Sequence, residues 1–98
     1  MPEPRHWYLF MYDVTEPVRL RQTHKLLSGW GKPVQYSVFR ARCTARELER
    51  LRFELSGILT AEDRLMVVRL CDGCASRVSV HGEALASFDL DTPPFHIM

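Results

Sequence analysis

Asp13 closes the run Trp7-Tyr8-Leu9-Phe10-Met11-Tyr12-Asp13, in which six aromatic or apolar residues precede a single carboxylate. Such a run reads as a strand buried on both faces. A carboxylate at the end of a buried strand is costly unless it is paired or reaches water. Asp is also a common turn residue, and Val14-Thr15-Glu16-Pro17 follows at once, so Asp13 reads equally as an exposed turn former. One carboxylate is a poor metal cage, although Mg²⁺ tolerates several waters among its oxygen ligands. Two copies of Asp13 brought together across a two-fold axis would repel each other and could be held by a divalent cation. Such an ion would polarise a phosphodiester and lower the pKa of a bound water.

Cys71-x-x-Cys74 is the other spacing with chemical content. Beside a second such pair it would read as a zinc site. Cys43, His81 and His96 fall at no spacing that completes the ligand set. A redox role wants the pair at the start of a helix that follows a strand. Ala75-Ser76-Arg77 leaves little room for one before the next strand, so the pair reads as a turn with free thiols, with zinc and redox roles as alternatives. The four histidines, His6, His24, His81 and His96, are scattered, and the five glycines form no phosphate loop. That pattern speaks against nucleoside-triphosphate chemistry.

These groups must be positioned by a short chain. Ninety-eight residues with 46% hydrophobic content suit one domain with a thin core, the kind that gains stability by dimerising. No apolar run is long enough to cross a bilayer, and Met1-Pro2-Glu3-Pro4-Arg5 lacks a signal-peptide layout, so the expected location is cytoplasmic, with no membrane partner. Three cysteines, an odd number, argue against a disulfide framework. The net charge of +1 hides an asymmetry: residues 1–50 hold nine Lys/Arg against five Asp/Glu, and residues 51–98 hold four against seven. A basic half can face a polyanion, and eleven arginines against two lysines favour fork-shaped recognition of phosphate or carboxylate.

In chain order, residues 7–13 form a first strand. Thr15 is the expected N-cap of a helix running to about Trp30, with Leu20, Thr23, Leu27 and Trp30 near one face and Gly29 and Gly31 as its stop. Residues 34–42 read as one strand, with Val34, Tyr36 and Val38 on one face and Gln35, Ser37, Phe39 and Ala41 on the other. Thr44-Ala45-Arg46-Glu47 is a capping box opening a helix to about Leu59, with an inward stripe of Leu48, Leu51, Leu55 and Ile58. Strands follow at 64–70 and 77–81. Pro93-Pro94 then precedes Phe95-His96-Ile97-Met98, which reads as a last short strand on an arm. The pattern alone gives β-α-β-α-β-β, an α+β sandwich with helices on one face of an antiparallel sheet.

Several pieces occur together: a strand ending Tyr12-Asp13, an Arg-bearing helix ending in Gly-x-Gly, the segment Val34-Gln35-Tyr36-Ser37-Val38-Phe39, a Thr-capped Leu-rich helix and a strand running into Cys71-x-x-Cys74. Over residues 7–82 the chain resembles the small "Cas-two" family of CRISPR-associated proteins. The resemblance implies a ferredoxin-like β-α-β-β-α-β sandwich with an additional C-terminal strand, homodimeric, with the second strand bent into a hairpin partner near Arg40–Cys43. It implies a domain over 1–82 and an arm over 83–98 that crosses to the partner subunit. Members are metal-dependent endoribonucleases or DNases of spacer acquisition, and also adaptors between integrase dimers. By that likeness Asp13 is the ligand for Mg²⁺ or Mn²⁺, and Tyr12, Ser37 and Phe39 belong with it at the catalytic site. Arg19, Arg21, Lys25, Arg40 and Arg42 are the candidate phosphate contacts on RNA or DNA. Three further readings remain beside this one: a non-catalytic nucleic-acid scaffold, a ferredoxin-like regulatory module for a small metabolite, and a small zinc protein built on Cys71 and Cys74.

Overall fold

The pre-proline position of Glu16 decides where the first helix starts. A residue before proline is pushed out of the helical region, and Glu16 is extended, with φ −74° and ψ 124°. Glu16 is therefore the N-cap, not Thr15. Its carboxylate accepts from the amides of Val18 at 3.1 Å and Arg19 at 2.7 Å, and Pro17 takes the first helical position, where its missing N–H costs nothing.

The computed structural model describes residues 3–35, 37–75, 77 and 79. Their order is β1 (His6–Asp13), α1 (Pro17–Ser28), β2 (Lys32–Gln35), β3 (Val38–Cys43), α2 (Ala45–Ser56), β4 (Arg64–Leu70) and the one-turn helix α3 (Asp72–Ala75). The strands form one antiparallel sheet in the order β2-β3-β1-β4. This is the ferredoxin-like β-α-β-β-α-β arrangement that the family resemblance implied, in place of the β-α-β-α-β-β order given by the sequence pattern alone.

The hairpin that completes it lies elsewhere than expected. The single strand over 34–42 is two strands, with the reversal between Gln35 and Val38. Ser37 sits in the turn at φ 64°. The expected hairpin region, Arg40–Cys43, is instead the middle and end of β3, paired with Leu9 to His6. The helix expected to reach Leu59 ends at Ser56, and the turn expected over Cys71–Cys74 leads into α3. The strands expected at 77–81 and 95–98, and the arm over 83–98, lie outside the described residues except for the single positions 77 and 79.

Strand alternation assigns the core. Tyr8, Phe10 and Tyr12 of β1 and Phe39, Ala41 and Cys43 of β3 face Leu27 of α1 and Leu51 and Leu55 of α2, all buried. Leu48, Leu51 and Leu55 of the expected stripe form the inner side of α2, as their spacing requires, whereas Ile58 falls beyond its end at Ser56. Leu48 is partly buried beside the two fully buried leucines. Thr44 completes the capping box, its amide donating to Glu47 Oε1 at 2.8 Å and its Oγ1 accepting from the Glu47 amide at 3.1 Å. On the opposite face of β1, Trp7 is fully buried, whereas Leu9 and Met11 are half-buried. Gly31 lets the chain leaving α1 pass close to β3, because a Cβ there would run into the carbonyl of Arg40.

Candidate active site

Asp13 is the first exposed residue after a largely buried strand. Within β1, Tyr12 turns into the helix-side core and Asp13 falls on the other side, at the strand end, in register with Arg64 of β4. No hydrogen bond or ion pair ties the Asp13 carboxylate to another described residue. The cost of ending a buried strand on an acid is thus avoided by exposure.

The hairpin tip is fastened beside it. The Tyr12 amide donates to the Ser37 carbonyl at 3.1 Å, one step beyond the Met11–Val38 pair of the β1–β3 ladder. A left-handed serine costs about 1 kcal/mol relative to an ordinary conformation, and this hydrogen bond helps hold it. Two of the expected site residues, Ser37 and Asp13, are therefore brought to one edge of the sheet by backbone geometry. Tyr12 and Phe39 are placed differently. Both are buried, with ring centroids 6.3 Å apart, and Phe39 also meets the His24 ring edge-on at 5.1 Å. In this chain they buttress the strand end from within the core.

The five expected phosphate contacts divide in the same way. Arg21 and Lys25 are exposed one helical turn apart on α1, so they share a face. Arg19 points elsewhere: its Nε donates to Asp63 Oδ2 at 2.9 Å and its Nη2 to Asp63 Oδ1 at 3.3 Å. Arg40 is buried, with its guanidinium 4.5 Å from the centroid of the Trp7 ring. That is a cation–π contact within the sheet, on the side away from the helices. Arg42, half-buried, lies opposite Trp7 in the same ladder. Two exposed cations that sequence reasoning did not single out, Arg46 and Arg50, stand on the first turns of α2. With Lys25, Leu26, Trp30 and Ile58 they line a groove of about 820 Å³ between the helices. The groove opens by the C-terminal end of α1, whereas Asp13 adjoins the N-terminal end, so this groove is not the Asp13 site. Only the adjacency of α1 and α2 in space reveals it; no local sequence signal could.

The fold, the exposed acid at the end of β1 and the serine-tipped hairpin beside it define a recognisable architecture. Residues 6–78 match the family model described as CRISPR associated protein Cas2. The chain belongs to the CRISPR-associated Cas2 family. A relative from Chloroflexus aurantiacus, named CRISPR-associated endoribonuclease Cas2 3, is 35% identical over 88 residues, covering 89% of this chain and 90% of its own. Another from Nitrosomonas europaea, CRISPR-associated endoribonuclease Cas2 2, is 38% identical over 84 residues, covering 78% and 74%. The crystal structure of Streptococcus pyogenes Cas2 at pH 6.5 superposes with a TM-score of 0.71 at 29% identity, covering 78% of this chain and 99% of that one. The Cas2 match spans β1 to the end of α3 and so includes Asp13, Ser37 and the α1 cations.

As a Cas2 chain, the molecule offers an ion one hard oxygen ligand at this edge. Among the described residues no three His, Cys, Asp or Glu side chains gather into a metal site. The neighbouring acids are engaged: Glu16 caps α1, and Asp63 holds Arg19 and the Thr60 amide. The hydrogen bond from Arg19, followed by that from the Thr60 amide, keeps the Asp63 carboxyl below the usual carboxylate range. Asp13 suits an ion of the Mg²⁺ or Mn²⁺ kind, which is held by one or two carboxylates and keeps much of its water. The donor set fits half of such a site.

Proposed function

We propose that this protein is a metal-dependent endonuclease of the adaptation stage of CRISPR defence, acting on RNA or DNA as a homodimer. The observation that carries the reading is the exposed, unengaged Asp13 carboxylate at the end of a buried strand in a chain of the Cas2 family. Asp13 of the two copies would hold Mg²⁺ or Mn²⁺ between them, and when bound the ion would make a water acidic enough to attack a phosphodiester. The chain's own part is positional. Tyr12 and Phe39 fix the strand end from the core, the Ser37 carbonyl holds the hairpin tip against β1, and Arg21 and Lys25 supply positive charge for the nucleic-acid backbone. The endoribonuclease names of the relatives support the reaction class.

A second copy is supported by the face of the sheet away from the helices. Leu9, Met11, Val38, Val68 and Leu70 are only half-buried there, and Met66 is 59% exposed. Apolar surface of this kind is removed from water by association. An integrase subunit is the further partner, and an adaptor role on DNA is the second reading. It is favoured by the exposed pair Arg21 and Lys25, which serves binding without any chemistry at Asp13. The two readings separate in one experiment. Asp13→Ala protein is compared with wild type on labelled single-stranded RNA and duplex DNA, with Mg²⁺, Mn²⁺ or a chelator. Loss of cleavage with unchanged melting temperature and sedimentation supports the nuclease. Cleavage that survives the substitution removes Asp13 from the mechanism, and retention of DNA without any metal-dependent cleavage by wild type leaves the adaptor.

A further inference from the structure

Strand β4 delivers two exposed thiols to the same place. Cys71 follows β4 directly, α3 begins at Asp72, and Cys74 lies on that single turn of helix. The two Sγ atoms are 3.1 Å apart and share a hydrogen bond. The Cys74 amide also donates to Cys71 Sγ at 3.3 Å. An amide can only donate, so Cys71 Sγ accepts that second hydrogen bond. The turn is closed by the Ala75 amide on the Cys71 carbonyl at 2.9 Å, and Ala75 itself is buried. The anchoring of Ala75 keeps the exposed thiols in register rather than leaving them on a free loop. A helical turn after a strand is the setting that the sequence spacing did not promise.

We propose that Cys71 and Cys74 form a redox-active dithiol, a site of reversible oxidation by low-molecular-weight disulfides, separate from the Asp13 edge. Cys71 is the attacking sulfur and Cys74 the resolving one. The Cys71 thiolate attacks one sulfur of the small disulfide; a Cys71 Sγ–S bond forms, the S–S bond of the reagent breaks, and one thiolate leaves. Cys74 then gives up its proton and attacks Cys71 Sγ, closing the Cys71–Cys74 bond and releasing the second thiolate. The protein loses two protons and two electrons, and one small disulfide takes them up to become two thiols. A protein disulfide is closed at 2.03–2.05 Å, so the sulfurs need approach by only about 1 Å from their present spacing. The charge distribution agrees with the assigned roles. The hydrogen bond with Cys74, with that from the Cys74 amide behind it, lowers the pKa of Cys71. The hydrogen bond with Cys71, followed by the charge of that sulfur, raises the pKa of Cys74. Cys43 provides an internal contrast: it is buried, and loss of solvation pushes its thiol up to about 12.

The test uses the full chain, freed of reductant and exposed to oxidised glutathione. The reaction is quenched with acid, and the remaining thiols are alkylated in denaturant and mapped by peptide mass. Wild type is expected to lose two hydrogens from the peptide carrying Cys71 and Cys74, to keep no glutathione, to leave Cys43 alkylated, and to regain both thiols with dithiothreitol. Cys74→Ser should accumulate glutathione on Cys71 faster than Cys71→Ser accumulates it on Cys74, because the amide of residue 74 still donates to Cys71 Sγ and favours the thiolate, which is the nucleophile. Stable glutathione adducts on both cysteines of wild type would overturn the proposal, as would no reaction, or equal rates in the two variants. Reaction only after a chelator has removed bound zinc would make the pair a metal site instead. Nuclease assays have no part in the readout, so failure here is distinct from failure at Asp13.

Discussion

Arg19 grips Asp63 through two hydrogen bonds, at 2.9 and 3.3 Å, and so ties the first turn of α1 to the loop that enters β4. The Asp63 side chain is only 1% exposed and also accepts from the Thr60 amide at 2.8 Å. A side chain that the family resemblance offered as a phosphate contact is therefore a strut. It braces both sequence neighbours of the edge on which Asp13 and Arg64 face each other. A paired carboxylate and a bidentate arginine hold such a junction more firmly than an exposed ion pair would.

This strut gives stability a defined pH dependence. The Asp63 carboxyl titrates lower in the folded protein than in the unfolded chain, chiefly because Arg19 donates to it. Its contribution is therefore complete above the unfolded carboxylate value, about 3.9, and is lost as pH falls through the lower native value. Asp63→Asn should unfold at lower urea than wild type at pH 6. The gap between the two should narrow steadily on acidification below about pH 4. Glu16 shifts in the same direction through its cap to the Arg19 and Val18 amides, but it is common to both proteins and cancels in the comparison. A gap that stays constant down to pH 2 would show that the charge of Asp63 is not what stabilises the junction.

The hairpin explains why the order of elements was hidden. Val34-Gln35-Tyr36-Ser37-Val38-Phe39 alternates through the reversal without a glycine, proline or asparagine to mark it. The residue that takes the left-handed position is Ser37, a type that seldom does so. Period-two alternation therefore spans the turn and mimics one long strand. The two main helices were legible because their signals are local: a capping box at Thr44, proline at the first helical position and leucines at helical spacing. Asp13 was legible as well, since an acid closing an apolar run has few ways to be accommodated. Arg40 was not. Its neighbour in space, Trp7, is remote in sequence, and only the antiparallel pairing of β1 with β3 shows that the cation lies over an indole rather than in solvent.

Gly31 follows the same logic of close approach. It is not there for a left-handed backbone; the carbonyl of Arg40 occupies the space a side chain would need. Gly31→Ala should cost at least about 2 kcal/mol, since overpacking forces backbone to move. Gly57 is the control. A Cβ there would meet the Glu54 carbonyl at 3.4 Å, an ordinary contact, and its backbone is already right-handed helical, with φ −76°. Gly57→Ala should leave the urea midpoint nearly unchanged. Equal effects at the two positions would show that the approach of β3 to residue 31 is not tight.

The cations of α1 make a prediction that separates charge from scaffold. Arg21 and Lys25 are exposed on one face, whereas Arg19 is spent on Asp63. If the first two contact phosphates, each releases counterions on binding, and the logarithm of affinity falls with the logarithm of salt by about 0.9 per contact. Arg21→Ala and Lys25→Ala should each weaken binding to duplex DNA of any sequence and reduce that slope by about 1. Arg19→Ala should lower the melting temperature and leave the slope as it is. Fluorescence anisotropy across a salt series reads both quantities. A slope reduced by Arg19→Ala but not by the other two would mean that Arg19 leaves Asp63 to bind phosphate. The strut would then open when nucleic acid arrives, and the melting temperature of Asp63→Asn in the presence of DNA would no longer fall below that of wild type.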